Sequence, residues 1–378
     1  MAKLGEVCKV SPSTKNIERQ GAWLLNLDMV EQQTGRVVEY NFVGEDDLNG
    51  SIIQFDTENV LYSKLRPNLN KVVLPEKDGF STSELLPLRP DASVLNRDYL
   101  AVFLRSDSFV TWAVSKTAGA KMPRLGTKDL MNAEIPVPNI ERQKEIAEKF
   151  KKLEQLISLR KQQLAKLDEL VKARFVEMFG DEQAFNKEPL SQNVEEMFIG
   201  PFGSSLKNES FVSKENGYCM VYEQKHAIRK TMDVETRYID KPKYEELKRF
   251  SIHGGDIIVS CRGTIGETYI VPLNAPLGIM HPSIMKIRVK ESIYNRVFFD
   301  FLLQEKLKQH EAQANGSGVK MAVTASALGK EEFIVPSIPF QNQFAAFVER
   351  VDQQKQTVQQ SLEKLELMKK ALMQEYFG

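Results

Sequence analysis

The sequence predicts an α+β protein: two α/β domains in pseudo-twofold tandem, joined by two long helices that pair as an antiparallel coiled coil. Three observations predict it. Residues 134–180 return as residues 332–378 at a constant offset of 198, without a gap, and 16 of 47 positions are identical. Average composition gives about 3 by chance. Each copy opens on prolines and then carries apolar residues at alternating spacings of three and four. Each copy also follows a globular segment of similar length and texture. A duplicated unit of this kind can touch a partner at two separate places.

Residues 1–133 form the first domain. Short apolar runs, VLYSKL (60–65), KVVL (71–74), ELLPL (84–88) and YLAVFL (99–104), alternate with Pro, Gly, Asn and Asp clusters. That is the texture of short strands and turns. The stretch Asp98 to Val114 is expected as one helix, with Tyr99, Phe103, Val110 and Trp112 on its apolar side. Residues 181–331 form the second domain and read the same way. DIIVS (256–260), ETYIV (267–271) and IMKIRV (284–289) are expected strands, and Asn295 to His310 is an expected amphipathic helix.

The arms are residues 134–180 and 332–378. Pro136 and Pro138, and Pro336 and Pro339, hold the approach extended and mark where each helix begins. The first seam is Ile146, Phe150, Leu153, Ile157, Leu164, Leu167 and Val171, interrupted by Arg160. The second is Phe344, Val348, Val351, Val358, Leu362, Leu365 and Leu372, interrupted by Lys355 and Lys369. A helix over 141–178 would be about 57 Å long at 1.5 Å per residue. Two seams in one chain are most simply buried against each other; packing on the parent domain and an intermolecular coiled coil are the alternatives. By the same symmetry Phe377-Gly378 should lie near Met1, as Phe179-Gly180 leads into the second domain.

Composition excludes several classes. Hydrophobic residues make up 42% and charged residues 27%, which is ordinary for a globular chain. The formal charge is zero, leaving room for a local basic face balanced elsewhere. Met1 to Val10 has no apolar core of a signal peptide, and no window approaches the about eighteen apolar residues of a membrane span. Cys8, Cys219 and Cys261 read as reduced thiols, so a cytoplasmic protein is expected.

Catalytic patterns are missing. His226, His253, His281 and His310 are scattered, with no zinc-ligand spacing. The glycines around Arg262-Gly263-Thr264-Ile265-Gly266 lack the GK[ST] ending of a P-loop. No dinucleotide fingerprint, nucleophile triad or Asn/Asp-Pro-Pro-aromatic motif stands out, so a binding protein is expected rather than an enzyme. An enzyme with an unfamiliar site, such as a nuclease, is the alternative.

Two kinds of stretch combine basic, small polar and glycine residues suited to phosphates and base edges. In the first domain they are 62–71, with Lys64, Arg66 and Asn68, and 116–124, with Lys121. In the second they are 200–207, with Ser205 and Lys207, and 260–266, with Arg262 and Thr264; Lys320 follows in 316–320. Read from composition alone, surface turns with solubilising charge are the favoured reading.

The arm motif Ile135-Pro136-Val137-Pro138, then Arg142-Gln143-Lys144-Glu145-Ile146-Ala147, resembles the central repeat of specificity (S) subunits of type I restriction-modification systems. Ile334-Val335-Pro336 to Gln341 and Phe344-Ala345 resemble that family's second repeat, with Pro339-Phe340 replacing its acidic and polar residues. Residues 60–67, 200–207 and 257–266 resemble phrases of its target-recognition domains. The resemblance implies that residues 1–133 and 181–331 are target-recognition domains 1 and 2, each reading one half of a split site on double-stranded DNA. The helix pair would set the unread spacer. It also implies partners: two adenine-N6 methyltransferase (M) subunits carrying S-adenosylmethionine, and ATP-driven restriction (R) subunits. The chain itself would hold no catalytic residue, cofactor or metal. The candidate DNA contacts are Lys64, Arg66, Asn68, Lys121, Ser205, Lys207, Arg262, Thr264 and Lys320. A two-headed protein-binding scaffold without nucleic acid is the competing reading.

Overall fold

The computed structural model describes residues 1–44, 46, 48, 51–119, 121–262, 264–317 and 324–378. They divide into two compact units, Met1–Leu164 with Thr357–Gly378, and Ala165–Gln356.

In the first unit one four-stranded antiparallel sheet orders Cys8–Val10, Leu85–Pro90, Val60–Ser63 and Val72–Val73. A second four-stranded sheet orders Asn41–Val43, Ala22–Leu25, Gly79–Thr82 and Ile52–Phe55, with Ala22–Leu25 parallel to Gly79–Thr82. The second unit repeats both. Its antiparallel sheet orders Val194–Ile199, Ile284–Val289, Ile257–Ser260 and Thr268–Ile270. Its mixed sheet orders Tyr238–Ile239, Cys219–Tyr222, Gly278–Met280 and Ser251–Ile252, again with one parallel pair, Cys219–Tyr222 beside Gly278–Met280. The duplication read in the arms therefore extends strand by strand through the domains.

The expected helix over 98–114 is two helices, Arg97–Leu104 and Asp107–Ser115. Ser106 divides them: its hydroxyl accepts from the Phe109 amide at 3.3 Å, capping the second helix. In the second unit one helix runs Arg296–Ser317, with Phe298, Phe299, Leu303 and Leu307 buried.

The arms are helices of 40 residues each, the central helix Ile140–Phe179 and the C-terminal helix Ile338–Phe377. Pro339 falls in the first turn, where a missing amide hydrogen costs nothing. Phe340 replaces a polar residue there and packs on Phe179 and Phe185 at ring distances of 5.1 and 6.2 Å.

A glutamine with no exposed surface locks each arm to the turn that precedes the helix Arg97–Leu104 or Arg296–Ser317 of its own unit. Gln143 accepts from the Asn96 amide at 2.8 Å and donates to the carbonyls of Val94 and Pro138 at 2.9 and 2.8 Å. Gln341 accepts from the Asn295 amide at 2.9 Å and donates to Ile293 and Pro336, both at 2.8 Å. Removing either side chain strands buried backbone partners, at about 1–3 kcal/mol.

Within each unit the two helices run antiparallel. In the first, Phe150 packs on Tyr376 and Phe377, Glu154 accepts from Lys369 at 2.8 Å, and Lys161 meets Glu366 at 3.3 Å. In the second, Asp168 pairs with Lys355 at 2.6 Å, and Phe175 and Phe179 pack on Phe344. Ile146, Phe150, Leu153, Leu167, Val351, Val358 and Leu362 are buried; Ile157, Leu164 and Leu365 are half-buried. The seam interruptions reach across. Arg160 donates to the Ser361 hydroxyl at 3.2 Å, and Lys355 and Lys369 make the ion pairs above. These placements fix register more than stability, because exposed ion pairs contribute only about 0–1 kcal/mol. Phe377 joins the buried cluster that contains Leu4, Tyr99, Phe103 and Phe150.

Candidate nucleic-acid interface

In the first unit the strand Val60–Ser63 delivers the chain to a tight turn. Ser63 Oγ donates to the Leu65 carbonyl at 2.9 Å, which folds the chain over the strand end. Arg66 and Asn70 then take left-handed backbone conformations, φ 49° and 50°, around the short 3-10 turn Pro67–Leu69. Such a conformation costs a non-glycine residue about 1–2 kcal/mol. Surrounding bonds hold it: the Arg66 amide donates to the Pro123 carbonyl at 2.8 Å, and Asn70 Nδ2 donates to the Arg105 carbonyl at 3.0 Å.

The Pro123 bond also joins the two predicted stretches of this domain. Leu65 bridges to Arg124, the Leu125 amide donates to the Lys64 carbonyl at 2.9 Å, and Arg124–Leu125 pairs with Thr117–Ala118 as a small ribbon. Residues 62–71 and 116–124 thus lie together. Arg66, Asn68 and Lys121 are exposed and Lys64 is half-buried. Arg124 is tied to Glu84 at 3.1 Å, whereas among the described residues Lys64, Arg66, Lys116 and Lys121 take part in no ion pair. Those cations are free for an outside anion.

In the second unit Val194–Ile199 and Ile257–Ser260 both flank Ile284–Val289 and are parallel to each other, so both finish at one end of the sheet. The predicted stretches 200–207 and 260–266 emerge there. Gly200 is required by a close approach: a Cβ on it would lie 2.3 Å from the His281 carbonyl oxygen. The other turn is closed by Ser260, whose hydroxyl donates to the Thr264 carbonyl at 2.5 Å and accepts from the Glu267 amide at 3.1 Å. Gly266 completes it at φ 89°. Arg262, Thr264 and Lys207 are exposed, and Ser205 is half-buried. Lys207 has one loose partner, Glu209 at 3.8 Å. Lys320 lies outside the described residues, as does Gly263.

Burial shifts the ionisable groups nearby. Burial pushes the Cys261 thiol up to about 11, so it stays protonated. Burial holds His281 below its ordinary value, and its Nδ1 lies 2.7 Å from the Ser283 hydroxyl. At the end of each antiparallel sheet away from these turns, one buried carboxylate meets an arginine: Asp56 with Arg89 at 2.6 Å, and Asp256 with Arg288 at 2.7 Å. Burial opposes ionisation of Asp56, but hydrogen bonds from Arg89 and Ser13 outweigh it and hold its pKa below the usual value. These pairs tie together the far end of each sheet, not the turns themselves.

Sequence reasoning did not foresee the left-handed Arg66 or the exposed ring of Phe202; the only signal for the first is the Arg-Pro-Asn-Leu-Asn run, rich in turn residues.

The profile described as Type I restriction modification DNA specificity domain matches residues 1–169 and again 199–367. The EcoDI specificity subunit of a type I restriction enzyme from Escherichia coli is 27% identical over 124 residues, spanning 33% of this chain and 27% of that relative. A putative MjaX specificity subunit from Methanocaldococcus jannaschii is 22% identical over 76% of this chain and 69% of the relative. Among solved structures, a chain from work on complex assembly and conformational transition of the type I R-M system superposes with a TM-score of 0.62 at 16% identity, covering 100% of this chain and 96% of that one. The type I restriction-modification S subunit from M. genitalium gives 0.56 at 16% identity, covering 100% and 95%. Those two share the fold. The two profile matches together take in most of the sequence, and the chain belongs to the type I restriction-modification DNA specificity family, whose domain it carries twice.

Proposed function

We propose that this protein is the non-catalytic reader of a type I restriction-modification complex. Target-recognition domains 1–133 and 181–331 each read one half of a bipartite site on double-stranded DNA, and the helix pair sets the unread spacer between the halves. Two adenine-N6 methyltransferase subunits supply S-adenosylmethionine chemistry, restriction subunits supply ATP-driven cleavage, and the whole acts in the cytoplasm. The observation that carries the reading is the repetition of one double-sheet topology, each copy ending in turns with exposed cations, of which Arg66, Lys121 and Arg262 take part in no ion pair among the described residues. Arg and Lys on rigid turns suit phosphates and guanine edges. The scaffold alternative leaves that pairing of cations and strained turn unexplained, and the family match favours DNA.

Arg66→Gly separates fold from function. Glycine relieves the left-handed backbone, so unfolding of the variant is expected at equal or slightly higher denaturant. DNA affinity of the methyltransferase complex should fall across all sequences, with the log-log salt slope reduced by about one, if Arg66 grips a phosphate. Undiminished affinity and slope would remove Arg66 from the interface. A wild-type complex with no salt-dependent DNA binding would remove the proposal.

A further inference from the structure

The second unit presents a feature for which the first has no counterpart. Phe202 is 86% exposed, yet the turn that carries it is anchored on both sides. Pro201 is buried, Leu206 is buried among Val221, Ile239 and Leu247, and the Ser205 amide donates to the Phe202 carbonyl at 2.8 Å. Gly200 is clamped on His281, and a Cβ on Gly203, beside the ring, would meet nothing within 4 Å. The ring therefore projects from an anchored turn rather than from a loose loop.

Its neighbours say what it would touch. The turn leaves the same end of the sheet as the Arg262 loop, and Lys207 follows five residues later, exposed. Apolar centres of protein–protein interfaces are depleted in lysine. A projecting apolar ring on a turn that shares a sheet end with the exposed Arg262, and is followed by Lys207 with its loose partner Glu209, fits a nucleic-acid groove, where cations take the phosphates and the ring takes a base. In the first unit the matching strand, Cys8–Val10, is three residues long against six for Val194–Ile199. The chain turns back early there, and Ser13 is buried with its hydroxyl on Asp56 at 2.7 Å.

We infer that Phe202 makes an apolar contact to a DNA base, packing on a thymine methyl or a base face, in one half-site only. This rests on the DNA-reading function proposed above. The test uses the full chain with its methyltransferase partner and a randomised duplex library, comparing wild type with Phe202→Ala and Phe202→Leu. The alanine variant should unfold at the wild-type denaturant concentration and assemble normally. Its affinity for the selected sequence should fall about 5- to 100-fold, the range one apolar base contact supplies. Base preference should flatten at one or two adjacent positions of a single half-site, with the salt slope unchanged and leucine intermediate. An unchanged preference at every position would overturn the inference, as would a uniform loss traced to weaker methyltransferase binding. If the wild-type complex selects no sequence, the reading function fails instead.

Discussion

Phe344→Ala is expected to destabilise the second unit by about 3–5 kcal/mol, the usual cost of emptying a buried phenylalanine site. Phe344 has no exposed surface and touches Phe175, Phe179, Phe298 and Phe301 at ring distances of 5.5, 5.7, 6.2 and 5.3 Å. These rings come from the central helix, the helix Arg296–Ser317 and the C-terminal helix, so no single neighbour can collapse into the void. Guanidinium unfolding should show the loss, with Leu159→Ala as the comparison. Leu159 is 58% exposed on the same helix pair, and its truncation should stay within about 0.5 kcal/mol. Equal effects from both variants would mean that the aromatic cluster does not hold the arms.

A larger functional effect is expected from lengthening both long helices. Four residues inserted at the middle of each add about 6 Å of rise, close to two base pairs of duplex at about 3.4 Å each. The recognised site should keep both half-sites and gain about two unread base pairs between them. Sequencing of sites methylated by the assembled complex reads this directly. An unchanged spacer would mean that the helices do not set it.

Much of this fold is legible in the sequence because it is written twice. The identical positions between 134–180 and 332–378 locate both helices, and the alternating spacing locates Phe150, Leu153, Val351 and Leu362 facing inward. Gln143 and Gln341 stand at identical positions, but their buried bonds to Asn96 and Asn295 depend on tertiary approach that periodicity does not encode. The break at Ser106 was hidden by a continuous apolar pattern from 98 to 114; a capping hydroxyl outweighed it. At the candidate interface, composition locates the turns around Lys64 and Arg262. It does not disclose that residues 62–71 meet 116–124, since that contact runs through the Pro123 carbonyl. Nor does it separate the exposed Phe202 from the many buried phenylalanines.

The central claim is that one chain reads two separate stretches of a single duplex. The most direct measurement is a map of methylated adenines across a genome exposed to this chain with its methyltransferase partner. The account predicts two short specified segments separated by a gap of fixed length and free sequence. A single continuous motif, or methylation without sequence preference, would contradict it.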